Sequence, residues 1–97
     1  MRQSGSELIA QKRIEQVTKH GHSNEIDDKQ TDEMLATRAA VYAMPQQMKH
    51  EVEAWEYLES EASEYDDRID ELATAGGLIA AEIDRLVRLE ERNNKGL

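Results

Sequence analysis

Apolar residues recur along this chain at helical spacing, in two short stretches followed by one long one. In the first, Ala10, Ile14 and Val17 share one face of a segment running from Ser6 to His20, flanked by Leu8 and Ile9. Ser6 is placed to cap that helix, Glu7 favours the positive end of its dipole, and Gly21 suits the position after its last turn. The stretch 21–30, GHSNEIDDKQ, is polar and turn-rich and reads as a loop. Thr31 is placed to cap a second helix, 31–44, with Asp32 and Glu33 in its first turn. Leu35, Ala39 and Tyr42 form its apolar line, widened by Met34 and Val41. Pro45 ends it, because proline lacks an N–H and disfavours helix at Met44.

From 46 to 93 the period changes to seven. Trp55, Ala62, Ile69, Gly76 and Ile83 take one position, and Leu58, Tyr65, Leu72, Ile79 and Leu86 take the other. Such a register predicts a long helix or a helical hairpin with coiled-coil-like packing. The capping residues of Ser63-Glu64-Tyr65-Asp66-Asp67 allow a break there, and Asn93-Asn94-Lys95-Gly96 is a natural end. Arg85, Arg88 and Arg92 complement the negative end of that last helix. Small residues cluster at Ala73, Gly76, Gly77, Ala80 and Ala81. Each glycine inside a helix costs about 1 kcal/mol relative to alanine, so the pair marks a tight helix crossing, within the chain or between subunits. The whole therefore reads as one all-α domain over 1–97.

Composition makes partners the next expectation. Charged residues are 34% of 97, there is no Phe and only one Trp, and the mean hydropathy is -0.82. A core that thin is usually supplemented by staples or partners. With no Cys there are no disulfides, which fits a reducing cytoplasm. No apolar run is long enough to span a membrane, and residues 1–6 lack the apolar stretch of a signal peptide. Self-association through Leu72, Gly76, Gly77, Ile79, Ile83 and Leu86 is expected, with Gly77→Leu disrupting it.

The net charge of -9 is unevenly spread. Residues 1–45 hold seven acids and six bases, whereas ten acids and one base, Arg68, lie between His50 and Leu72. A field of that sign repels nucleic acid and anionic lipid and suits a basic protein. Glu53, Glu56, Glu59, Glu64, Asp67 and Asp70 are the candidate contacts, in an arrangement that can imitate a polyanion on a partner's basic groove.

Catalytic chemistry finds less support. No phosphate loop is present and no Cys is available as a nucleophile. His20, His22, Asp27 and Asp28, with Glu25, crowd one helix end and loop as candidate metal ligands, although their spacing matches no zinc motif. Asp66-Asp67-x-x-Asp70-Glu71 is similar to one of the paired acidic helices with which all-helical nucleotide pyrophosphohydrolases hold Mg²⁺, whereas Glu82-x-Asp84 has the wrong spacing for the other. Under that alternative the chain binds Mg²⁺. Otherwise no cofactor is expected.

Two patches carry a further resemblance. One runs Arg13-x-x-Gln16, Lys19-His20-Gly21, Asp27-Asp28, Asp32-Glu33-x-Leu35-Ala36 and Ala39-Ala40-x-Tyr42-Ala43; the other is Ala75-Gly76-Gly77-Leu78-Ile79-Ala80-Ala81-Glu82-Ile83-Asp84-Arg85-Leu86. Together they resemble a family of small proteins encoded by bacteriophages and prophages. The middle of the chain departs from it, with Pro45, Trp55 and the acidic stretch replacing a Trp- and Pro-rich segment. The resemblance implies a setting in which small acidic proteins bind and neutralise host proteins, defence nucleases among them. Arg13, Asp28, Glu33 and Arg85 match its pattern and serve either to tie helices together or to bind. The expectation is a non-enzymatic accessory protein that binds a basic host protein and contacts neither membrane nor nucleic acid. A purely structural oligomerisation module is the third reading.

Overall fold

A computed structural model of the chain describes residues 3–19, 21–31, 33–45, 48 and 67–95. These form four α-helices and, among the described residues, no strand: α1 (Gly5–Thr18), α2 (Asn24–Asp28), α3 (Met34–Ala43) and α4 (Arg68–Lys95). The protein is all-α, with three shorter helices packed on one long C-terminal helix.

The helix boundaries follow from capping chemistry. The α1 cap is Ser4, two residues earlier than the pattern suggests. Its hydroxyl accepts from the Glu7 amide at 3.3 Å while its own amide donates to Glu7 Oε1 at 3.4 Å, a reciprocal capping box that Ser6 cannot make with the residue three places on. Gly21, at φ 71°, supplies the left-handed turn after α1. The stretch expected to be a loop contains α2, because the Ser23 hydroxyl accepts from the Ile26 amide at 3.1 Å and starts a short helix. α3 starts at Met34 rather than at 31. Glu33 precedes it in the left-handed region with no side-chain cap, so Thr31 does not cap this helix. Its C-terminal end lies at Ala43, two residues before Pro45.

Asp67 starts α4, its Oδ1 accepting from the Ile69 amide at 2.9 Å. Arg68 then closes α3 from outside. Its guanidinium donates to the carbonyls of Tyr42 at 3.0 Å and Met44 at 3.2 Å, to that of Ala43, and to the buried Glu71 carboxylate. The lone base of the acidic stretch is thus spent on the negative end of a neighbouring helix.

The core is small. Leu35, Ala39 and Tyr42 of α3 meet Ala75, Leu78 and Ala81 of α4, with Ala43 packed alongside. The α3 side of this contact is the line read from the sequence. The α1 side is not. Ile14 is 63% exposed and Val17 47%, and Ala10 is also outside. The residues that α1 turns to α4 are instead Leu8, Ile9, Lys12, Arg13 and Gln16. Long polar side chains can lay their stems on apolar surface and carry their heads to partners on α4, so they outrank a short apolar stripe.

The glycine pair is the crossing point, and the crossing is within the chain. A β-carbon at Gly76 would lie 2.5 Å from Cγ1 of Ile9, and one at Gly77 would lie 2.8 Å from Nε2 of Gln16. Ile9 and Gln16 are two turns apart on α1 yet meet adjacent residues on α4. The two axes therefore cross steeply.

Candidate functional site

Two features of the described structure have functional potential: a charged junction around α2, and an apolar face of α4.

At the junction, Asp27 is fully buried. Arg13 of α1 reaches its Oδ2 at 3.2 Å, and Nδ1 of His22 lies 3.4 Å from its Oδ1. Asp28 points the other way and holds α4, with Arg88 at 2.8 Å and Arg92 at 3.7 Å. Within α4, Arg85 pairs with the buried Glu82 at 2.6 Å. Of Arg13, Asp28, Glu33 and Arg85, the first two tie α1 to α2 and α2 to α4. Arg85 is spent inside its own helix, and Glu33 is exposed before α3. Arg85, Arg88 and Arg92 thus find carboxylates rather than the helix end assigned to them.

Burial lowers the His22 pKa below its ordinary 6.5; Asp27 opposes the shift, while Arg38 and Arg13 add to it. His22 is therefore neutral at pH 7. The hydrogen bond from Arg88 holds the Asp28 carboxyl below its usual 3.8.

These shifts fix the sign of the pH dependence. Below pH 6.5 the unfolded chain takes up a proton at His22 that the folded chain refuses, so stability falls as pH drops from 7 towards 5.5. The slope from one such group is at most about 1.4 kcal/mol per pH unit. The contribution of Asp28 is present above its ordinary pKa and is lost only as pH falls through its lower folded value. Thermal melts of the native chain should show the decline between pH 7 and 5.5, and His22→Gln should remove it. A native midpoint that is flat over that interval would refute the assignment.

The candidate metal ligands are already committed. His22 and Asp27 face each other under Arg13, Asp28 serves two arginines, and His20 lies outside the described residues. No group of three or more His, Asp or Glu side chains among the described residues is placed to hold an ion. Of the acids proposed for Mg²⁺, Asp66 lies outside the described residues and Asp84 is exposed, with Arg13 at 3.9 Å. The others are engaged: Asp67 caps α4, Asp70 pairs with Lys12 at 2.6 Å, Glu71 with Arg68, and Glu82 with Arg85. A cation there would have to displace built-in partners.

Of the candidate partner contacts, Glu53, Glu56, Glu59 and Glu64 lie outside the described residues. Asp67 and Asp70 are described, and both have structural duties. Of the expected oligomer contacts, Gly76 and Gly77 face α1, whereas Leu72, Ile79, Ile83 and Leu86 are exposed.

That exposed set is the second feature. Ile69, Leu72, Ile79, Ile83, Leu86 and Val87 follow one face of α4 and are each 43–55% exposed. α4 packs internally through other positions, among them Glu71, Thr74, Ala75, Leu78, Ala81 and Glu82. Small and polar residues let the helices approach, and the heptad stripe is left outside.

Fold and site define a small all-helical protein with an internally paired charge network and an apolar helix face. No helix among the described residues is long and apolar enough to cross a membrane. Comparison with protein-family models, with curated proteins and with solved structures returns no match to this chain.

Proposed function

We propose that this chain is a non-enzymatic binding protein that engages a basic protein through its acidic stretch, as a phage accessory protein acting on a host factor would. One observation carries the reading: six cations of the fold are spent inside it. Lys12, Arg13, Arg68, Arg85, Arg88 and Arg92 are each engaged with a carboxylate of the fold. Between Glu51 and Asp66 the chain carries seven acids and no base, so that negative charge has no cation within the stretch. Like charges at such density cost helix stability, and a partner's basic surface would recover that cost.

Reversing Glu56, Glu59 and Glu64 to Lys tests it. Affinity capture from host lysate should recover a basic protein with the native chain, less of it as salt rises, and little with the triple variant. Association should also be slower. Equal capture by native and reversed chains would leave the acidic stretch without a binding role.

A further inference from the structure

We propose that the exposed face of α4 is the contact surface for a second copy of this chain, packed antiparallel across a two-fold axis. The stripe runs from Ile69 to Val87 and carries no charge; the next residue on that face, Glu90, is the first. Its one gap in the heptad series, Gly76, is filled from outside the helix. Ile9 of α1 lies where a side chain at 76 would project, so the apolar surface is continuous. Six half-exposed side chains of this size present on the order of 500 Å² of apolar area per copy, near the upper end for a monomer's largest patch. Two copies with their polar rims would bury roughly 1,200 Å² or more, which is what a stable interface needs.

The stripe is also complementary to itself. About a two-fold axis midway between Gly76 and Ile79, Ile69 faces Leu86 of the other copy and Leu72 faces Ile83, so apolar positions meet throughout. A parallel arrangement would instead set Glu90 beside Glu90 and align the two helix dipoles. The antiparallel one opposes the dipoles and brings each Glu90 towards the positive end of the other α4. The internal core, half of it alanine, gains most from such added burial.

The chain has no cysteine, so single cysteines report the arrangement cleanly. Light scattering at high micromolar concentration should give a dimer. Because each copy carries -9, that dimer should tighten as salt screens the repulsion, opposite in sign to binding of a basic partner. Failure here is thus separable from failure of the acidic-stretch reading. Ile69→Cys mixed with Leu86→Cys should form a mixed disulfide dimer, and Leu86→Cys alone should not. Ile79→Glu with Ile83→Glu should give a monomer of unchanged helicity, since both sites are exposed in the folded chain. A native monomer, a dimer that survives the double glutamate change, or ready cross-linking of Leu86→Cys to itself would each overturn the proposal.

Discussion

Arg13→Met is expected to cost about 3–5 kcal/mol of stability at neutral pH, because it leaves the fully buried Asp27 without its cation. Methionine keeps most of the aliphatic stem, so the loss reports the charge rather than the packing. Native stabilities are typically about 5–15 kcal/mol, and a thin alanine-rich core argues for the lower part of that range. The variant should therefore be largely unfolded on modest warming. Two controls separate the ion pair from a general weakening. Adding Asp27→Asn should recover part of the loss, since the stranded charge is then gone and the cycle reads the coupling. The pH trend should also flatten. Without Arg13 beside it, His22 is freer to take up a proton and supply Asp27 with a cation, so the variant should lose less stability from pH 7 to 5.5 than the native chain does. Denaturant unfolding at several pH values measures both. A loss below about 1 kcal/mol, the scale of an exposed pair, would show that Asp27 does not depend on Arg13.

Gly76→Leu is the second large effect. The side chain would enter the space held by Ile9, whose Cγ1, Cδ1 and Cγ2 lie 2.5, 2.6 and 3.2 Å from the new β-carbon. Two of them, Cγ1 and Cγ2, are bonded to the Ile9 β-carbon and cannot swing away as a flexible tip could. α1 must lift, at a cost of about 2–3 kcal/mol even after the gain of about 1 kcal/mol from removing a helical glycine. Ile9→Ala in the same chain should return much of the loss by reopening the space. At Gly77 the obstacle is the Gln16 amide, a flexible tip, but it is buried and donates to the Thr74 carbonyl at 3.4 Å. Gly77→Leu should thus loosen α1 from α4 within one chain. Equal unfolding midpoints for native and Gly76→Leu chains would show that the close approach is not required.

Both effects lie at places that the sequence marked without explaining. The two glycines signalled a tight crossing because nothing else justifies their cost inside a helix. Which element crosses there, and that Ile9 fills the gap, could not be read, because α1 contacts α4 through side chains 58 or more residues away in the chain. Asp27 and Asp28 stood out as a cluster of acids and suggested a metal. Their partners are arginines on two other helices, at no fixed spacing, so the pairing was invisible. Arg68 was conspicuous as the only base among ten acids, yet its carbonyl partners lie on another helix.

What the sequence determined by itself is what depends on neighbours along the chain. Apolar spacing, Pro45, Gly21 and the seven-residue register established an all-α protein with a long C-terminal helix, because helix formation is set by residues within a few turns. Cap selection was only partly legible, since Ser4 and Ser6 are both capable and the Glu7 side chain decides between them. The tertiary structure decided which faces are inside. Hydrophobic burial has no direction of its own, so the stripe of Ile69, Leu72, Ile79, Ile83 and Leu86 shows that a surface needs covering but not what covers it. α3 and α1 take the alanine and glycine faces of α4 because only there can backbones approach closely enough for Leu35, Tyr42 and Ile9 to fill the space between them. The strongest apolar pattern in the chain is thereby left on the outside.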